Sequence, residues 1–400
     1  GDEVPELRYL FFVGLITFVS ALRVKSDDMR PKIFHFQYAK LFLALVIWMW
    51  MQYFWALDRE EHLEGTIEYT KHFIIFFLIY RIIDTREKII GFLIAHIIGC
   101  FWFGYLALGA SGGRLESIGG PVGGSNELGM HVATALITGG IMWLLITGWQ
   151  RWVIFGAIPF IANTIVLTVS RGAFLGFFSA GLIGGAFIPK SYRGKYFGLS
   201  ILAMILISML AHEELVERFV ATWEAIAGEE QEIDNSAASR IEIFSAGMRM
   251  GLDYPLGAGY RGTRVLSPFY MEKRLLSDSS GGRSAHNTFA AAFAEHGFVG
   301  AIIYIWMVLS ITRVLFRVNR LGDHAMSKQD RAIAVSLIAA VAGMWVSGNF
   351  SNNLFTETQY WLVAVLCSLL ACTVESSEIA HQPSGKSMRR HNPIVNGPAS

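Results

Sequence analysis

Cysteine and charge are both scarce in this chain, and each scarcity excludes a class of protein. The three cysteines, Cys100, Cys367 and Cys372, all lie within apolar runs, so they predict neither a disulfide framework nor a thiolate zinc site. Only 16% of the residues are charged whereas 53% are hydrophobic, and a soluble domain does not need that much apolar surface. We therefore expect a membrane protein whose cysteines are small buried core residues.

Further absences narrow the function. No Gly-rich phosphate loop of the nucleotide-hydrolase type occurs, so nothing indicates the use of ATP. The histidines His212, His286 and His296 have no partner at helical ligand spacing, so we expect no metal site. Period-two alternation is absent from the apolar runs, which argues against an outer-membrane barrel. We expect no cofactor and no nucleic-acid partner.

Long apolar runs are what the chain has in excess. A bilayer crossing takes about 20 mostly apolar residues, and runs of this kind recur along the sequence. We count about eleven, near 9–24, 36–57, 69–83, 88–109, 128–147, 152–169, 172–189, 196–211, 297–315, 331–348 and 359–373. The predicted fold is therefore all-α, a polytopic helical membrane protein with about 11–12 transmembrane helices and one large helical external loop.

These runs and one long polar stretch divide the chain into four predicted parts. They are N-terminal transmembrane helices (1–211), a loop subdomain (212–285), C-terminal transmembrane helices (286–373) and a disordered cytoplasmic tail (374–400). Within the loop, the segment from Glu213 to Glu230 predicts an amphipathic helix. A second helix is predicted to begin at Asn235 and to stop at Asp253, before Pro255.

Basic residues concentrate in alternate short loops, which predicts the topology. The basic loops carry Arg23, Lys25, Arg30 and Lys32; Arg81, Arg86 and Lys88; Lys190, Arg193 and Lys195; and Arg313, Arg317, Arg320, Lys328 and Arg331. By the positive-inside rule these loops are cytoplasmic. We therefore expect the N-terminus and residues 212–285 outside, and the C-terminal tail inside.

Arg171 is the first candidate functional residue. It lies between two apolar runs in the tight external turn Ser170-Arg171-Gly172. A guanidinium at mid-membrane costs about 2.5–3.5 kcal/mol, and less near the interface, so this position favours a function. The small neighbours let a ligand approach the backbone, and the next helix presents its N-terminal amides to an anion. The alternative is an arginine that merely snorkels to the interface.

Arg240 and His286 are the other two candidates. Arg240 opens the second loop helix, where an arginine usually faces water or pairs with a neighbour such as Glu242. His286 comes at the outer mouth of a span, and its ordinary pKa near 6.5 suits proton exchange with a hydroxyl. A polar histidine satisfied at a helix start is the alternative.

The local pattern around His286 predicts a helix. His286, Ala290, Phe293 and Gly297 would share one stripe of that helix. Asn287 would cap the helix or orient a group beside it. Glu295 and His296, which follow on the same helix, are expected on its opposite side.

The sequence His286-Asn287, nine residues, Gly297, two residues, Gly300 resembles the signature of the bacterial O-antigen ligase and O-antigen polymerase superfamily. Three further segments, spread with it over roughly residues 110–315, resemble the same family in the same order. They are the Gly-rich stretch that ends at Asn126, the turn Ser170-Arg171-Gly172-Ala173, and Arg240-Ile-Glu-Ile-Phe followed by Leu252 to Gly259.

This resemblance implies a glycosyltransferase. Its donor would be a glycan on undecaprenyl diphosphate, and its active site would face the periplasm from the bacterial inner membrane, with no need for a metal. His286 would act as the general base in an inverting transfer, with Arg171 and Arg240 on the diphosphate. Ser170, Asn287 and Asn126 would complete the substrate site. The acceptor stays open between lipid A-core, a second lipid-linked glycan and a protein side chain.

A secondary transporter or flippase for lipid-linked or anionic cargo is the alternative function. Transporters of this kind usually carry charged residues deep within their spans, and often internal repeats with interrupted helices. Here the spans hold few charges, the polar residues gather on one face, and no repeat is visible. The sequence therefore favours the transferase.

Overall fold

A computed structural model gives the fold of the chain. It describes residues 30–109, 114–116, 124–210, 235–276, 282–321 and 325–381, with isolated positions at 14, 16, 17, 19–21, 23, 220 and 323. Most of the predicted span at 9–24, the predicted helix at 213–230 and residues 382–400 lie outside the described residues.

Every regular element within the described ranges is helical, which confirms the predicted all-α class. The α-helices are α1 (Gln37–Gln52), α2 (Arg59–Ile82), α3 (Arg86–Ala107), α4 (Ser125–Leu145), α5 (Trp149–Leu167), α6 (Arg171–Phe187), α7 (Lys190–Leu210), α8 (Asn235–Asp253), α9 (Gly262–Tyr270), α10 (Thr288–Arg320), α11 (Lys328–Ser347) and α12 (Glu357–His381). The limits of α8 are those predicted from the sequence.

Six of these helices are long and apolar enough to cross a membrane: α3, α4, α5, α7, α10 and α11. Two shorter apolar helices, α6 and the part of α12 at 357–373, accompany them. The protein is thus a polytopic helical membrane protein. Each of the predicted runs from 36–57 onward overlaps a described helix. The total of 11–12 spans stays a prediction.

Several helix ends differ from the predicted runs, among them the start of α10 and the end of α12. Helix α10 begins at Thr288, nine residues before the predicted run at 297–315, because the Ala-rich stretch before Gly297 is already helical. Helix α12 continues to His381 rather than ending near residue 373. Extending a formed helix by a further turn costs little compared with starting one, so a polar sequence can continue it.

Helices α4 and α11 form the centre of the bundle, and α11 packs most extensively against α6. At their crossing, a Cβ atom added to Gly176 would lie 2.6 Å from the carbonyl oxygen of Gly343. A Cβ atom added to Gly343 would likewise lie 2.6 Å from the carbonyl oxygen of Gly176. Membrane helices gain little from hydrophobic burial against one another, so close backbone approach at small residues holds them together.

The basic loops at the start of α3 and around the start of α11 meet at one end of the bundle. Arg86 Nε lies 2.8 Å from Asp330 Oδ1 there, and α10 ends nearby in sequence with Arg317 and Arg320 in its last turn. Thr288, at the start of α10, is at the opposite end of that helix. The end that carries His286 is therefore separated from the basic end by a whole span.

We expect Gly176→Ala to lower the thermal stability of the detergent-solubilised protein. The new methyl group would meet backbone that cannot move aside, and overpacking of this kind costs about 1–3 kcal/mol. Gly181→Ala is the matched control, because it lies on the same helix with open space at its Cβ position. The measurement is thermal unfolding followed by fluorescence. Equal melting temperatures for the two variants would contradict this packing.

Candidate functional site

A short polar loop between α11 and α12, residues 348–356, organises the end of the bundle that carries His286. Thr288 makes three hydrogen bonds to it. Its backbone N–H donates to the Gly348 carbonyl at 2.7 Å, and its hydroxyl donates to the Ser351 carbonyl at 3.0 Å. The same hydroxyl accepts from the Asn353 N–H at 2.8 Å. The start of α10 is thus fixed to the 348–356 loop.

Asn126 and Ser170 attach to the same loop from α4 and α6. The Ser170 hydroxyl donates to Asn126 Oδ1 and accepts from the Ala173 N–H at 3.1 Å, so it also caps α6. Asn126 Nδ2 donates to the Phe350 carbonyl at 3.1 Å. Gly172 lies so close that a Cβ there would be 2.9 Å from Phe350 Cβ, which explains a glycine after Arg171.

Arg240 reaches Phe350 from α8. Its guanidinium carbon lies 5.3 Å from the centroid of the Phe350 ring, within the range of a cation–π contact. Arg171 is half-buried and directly precedes Gly172, which packs on the same side chain. The family-like segments around residues 126, 171, 240 and 287 therefore converge on one loop that sequence reasoning did not single out.

His286 lies in the loop before α10 and is not part of the helix. Asn287 caps α10, with its Oδ1 accepting from Phe289 N–H at 2.9 Å and Ala290 N–H at 3.0 Å. His286 has φ 45°, in the left-handed region, where most non-glycine residues are strained. The predicted helical stripe from His286 to Gly297 is therefore wrong, because the cap starts the helix two residues later and Gly297 interrupts it.

A cavity of about 670 Å³ opens beside His286. Arg261, Arg264 and Arg283 line it together with His286 and Asn352 of the 348–356 loop. Arg171, Arg240, Ser170, Asn126 and Asn287 do not line this cavity; they lie around the loop that forms its edge. None of the three lining arginines was assigned a role from the sequence.

The charge of this cavity acts on His286. The side chain is exposed to the cavity, yet the surrounding protein lowers its pKa to about 4. Displacement of water by the cavity walls is the largest cause, and the positive charges of Arg283 and Arg240 add to it. At neutral pH the imidazole is therefore uncharged and able to accept a proton. The same result shows that Arg240 lies within electrostatic reach of His286.

The interruption of α10 at Gly297 is built by the segment 255–259. Gly297 has φ 66°, and a Cβ there would lie 2.4 Å from the Pro255 carbonyl oxygen. Backbone groups on both sides of the break are hydrogen-bonded to this segment: Ala258 N–H to the Ala294 carbonyl at 3.0 Å, and Phe298 N–H to the Pro255 carbonyl at 3.0 Å. The segment that ends at Gly259 and the segment that contains Gly297, both of which resemble the O-antigen ligase family, thus form one structural unit.

Glu295 lies on the wall of the cavity, contrary to the expectation that it faces away from His286. The Thr263 hydroxyl donates to Glu295 Oε1 at 2.6 Å, and the carboxylate is almost fully buried. His286 lies in the loop before α10 rather than in the helix, so helical spacing counted from His286 misplaces this residue. His296 is buried elsewhere, with Nδ1 2.8 Å from Gln52 Oε1, and has a structural role.

One comparison with known proteins gives a match. Residues 156–305 match the family model described as O-antigen ligase. This segment is an O-antigen ligase family domain. The resemblance read from the sequence is confirmed. The O-antigen ligase domain contains Arg171, Arg240 and His286, while Asn126 and the 348–356 loop lie outside it. A search of the curated proteins finds no match.

We expect Asn287→Ala to destabilise the protein by about 1 kcal/mol, the usual cost of losing an N-terminal cap. Asn287→Asp keeps an acceptor oxygen for the Phe289 and Ala290 amides and should restore the melting temperature. Thermal unfolding of both variants measures this. An Asp variant that melts as low as the Ala variant would show that capping is not what this side chain contributes.

Proposed function

We propose that this protein is a glycosyltransferase of O-antigen assembly that moves a glycan from undecaprenyl diphosphate to an acceptor hydroxyl at the periplasmic face of the inner membrane. The family match supports the role of a ligase or polymerase. The observation that carries the reaction itself is the arginine-lined cavity with a neutral histidine on its wall.

The leaving group explains the arginines. When the bond between the anomeric carbon and the phosphate oxygen breaks, negative charge develops on the lipid diphosphate. Arginine binds phosphate through two parallel charge-assisted hydrogen bonds, and such contacts are stronger than those between neutral groups. Arg261, Arg264 and Arg283 line the cavity, and Arg240 and Arg171 lie around the loop at its edge. Fixed positive charge of this kind stabilises the departing diphosphate without reorganisation.

His286 supplies the base. The acceptor oxygen attacks the anomeric carbon from the side opposite the diphosphate, so the configuration inverts. The acceptor proton passes to the imidazole as the new carbon–oxygen bond forms, and undecaprenyl diphosphate leaves. The exposed side chain of His286 is reachable from the cavity, and its neutral form is the one that accepts a proton.

Donor binding would adjust this base. Because the positive charges of Arg283 and Arg240 add to the effect of burial, the pKa of His286 stays near 4, which makes it a weak base. A bound diphosphate neutralises these guanidinium groups and adds negative charge nearby, so it raises the pKa of the imidazole. A base is most effective when its pKa lies closer to the working pH. The acceptor, whether lipid A-core, a second lipid-linked glycan or a protein side chain, stays open.

We expect His286→Asn to lower kcat for glycan transfer by about 10²–10⁴-fold, the usual contribution of a general base. Asparagine tolerates the left-handed backbone at this position, so the loop should keep its shape. The assay uses purified lipid-linked glycan with a panel of acceptors. Transfer at the wild-type rate by His286→Asn would remove the base from this mechanism.

We expect Arg240→Ala to lower kcat by about 10²–10³-fold, because it removes charge aimed at the leaving diphosphate. Arg249→Ala is the matched control. Arg249 lies on the same helix, is exposed and donates to the Tyr270 carbonyl at 3.1 Å, away from the cavity. Equal losses of transfer in the two variants would argue for a general effect on α8 rather than for a role at the phosphates.

The pH dependence tests the coupling between donor and base. Transfer needs neutral His286, so activity is present above its pKa and is lost as the pH falls through it. In kcat/KM, which reports the free enzyme, we expect the acid limb near pH 4. In kcat, which reports the donor complex, the limb should lie at higher pH. Removing one neighbouring charge by Arg283→Gln should raise the limb in kcat/KM, and coincident limbs in the wild type would contradict the coupling.

A further inference from the structure

A second cavity of about 350 Å³ has one lining residue, Phe355, in common with the first. Three pairs of metal-ligating residues spaced four apart face it from neighbouring helices. They are Glu68 and His72 on α2, His96 and Cys100 on α3, and Glu127 and His131 on α4. Residues four apart share one face of a helix, so each pair presents two side chains to the same space. The proposed transfer reaction uses none of them.

His96, Cys100 and His131 come closest together. One ligand atom from each lies within 4.8 Å of the others. In a tetrahedral zinc site with bonds of 2.0–2.3 Å, ligand atoms are about 3.3–3.8 Å apart, so side-chain movements of about 1 Å would close the site. The sequence predicts no metal site because spacing along one helix does not reveal ligands from two different spans.

The hydrogen bonds of the two histidines leave the correct nitrogens available. The Thr134 hydroxyl donates its proton to the His131 carbonyl at 2.6 Å, so it accepts from His96 Nε2 at 3.0 Å. His96 therefore carries its proton on Nε2 and keeps a lone pair on Nδ1. His131 Nδ1 is hydrogen-bonded to the Thr358 hydroxyl at 2.6 Å, which leaves Nε2. Metal-binding histidines are typically oriented by a hydrogen bond from their second nitrogen in this way.

His72 gives an independent indication that the cavity takes a ligand. It is 1% exposed and lines the cavity, and neither ring nitrogen has a hydrogen-bond partner among the described residues. Its Nε2 lies 3.4 Å from Glu357 Oε1, without hydrogen-bond geometry. Buried polar groups are normally satisfied, so an unsatisfied imidazole facing a cavity that histidine and glutamate side chains also line marks a place for something that binds there.

We propose that His96, Cys100 and His131 bind a zinc-type divalent transition metal. Two imidazoles and one thiolate form the nitrogen and sulfur set that zinc prefers, and Glu127, one turn before His131, offers a carboxylate for the fourth position. Metal binding would exchange the thiol proton of Cys100 for the metal and would join α3 to α4. None of the three ligands lines the cavity of the transfer reaction, so the metal would stabilise the bundle without entering that reaction.

The first test needs no variant. The full chain is purified on a tag without histidines, treated with a chelator, dialysed and titrated with Co²⁺ and with Zn²⁺. We expect about one metal ion per chain, a thiolate-to-cobalt absorption band in the near ultraviolet, and a higher melting temperature with Zn²⁺. A wild-type protein that binds neither ion, or that binds cobalt without the thiolate band, would overturn the proposal.

Variants then assign the ligands. Cys100→Ser and His131→Ala should abolish the stoichiometric binding and the stabilisation by Zn²⁺. Thr358→Val should weaken binding about 10–100-fold by removing the partner of His131 Nδ1. Cys367→Ser is the matched control, because Cys367 is also a buried cysteine within a span but does not line this cavity. Loss of the cobalt band in Cys367→Ser with retention in Cys100→Ser would sink the assignment.

Discussion

The backbone of the 348–356 loop sets the strictest constraint on this molecule. A loop at the end of a transmembrane bundle has peptide groups that helix geometry does not satisfy, and unsatisfied groups near lipid are costly. Here three side chains from two other helices satisfy several of them: Asn126 from α4, Asn287 at the cap of α10, and Thr288 within it. Each side chain that satisfies the loop is a neighbour of a proposed functional residue. The same hydrogen bonds therefore fold the loop and gather the site.

Glycine has a comparable double role in the O-antigen ligase domain. Gly297 lets the chain of α10 break, and Gly257 and Gly259 let the segment at 255–259 approach the break closely enough to pair with it. The outer part of α10 then presents Glu295 to the cavity, while His286 stays in the loop before the helix. The spacing of His286 and Gly297 in the sequence therefore reflects the backbone geometry of the break more than the chemistry of the reaction.

Sequence reasoning recovered the fold class, the helical runs from residue 36 onward and the limits of α8, because hydropathy and helix-stop residues are local signals. It missed the 348–356 loop, since a polar connection between two spans looks like any other connection. It also gave no role to Arg261, Arg264 and Arg283, because the sequence does not show which way these side chains point. The predicted direction of Glu295 was wrong because helical periodicity was counted from His286, which lies in the loop before the helix. Three-dimensional proximity decides all of these cases.

The length of α10 bears on how deep in the bilayer the proposed reaction would take place. Its 33 residues would extend about 50 Å as one straight helix, well beyond the roughly 30 Å of bilayer hydrocarbon. The part after the break, residues 298–320, extends about 35 Å and matches that thickness. The part before it, residues 288–296, adds about 13 Å above the lipid tails. In the proposed reaction, the break would place His286 at the level of the phosphates of a lipid whose hydrocarbon chain stays in the bilayer.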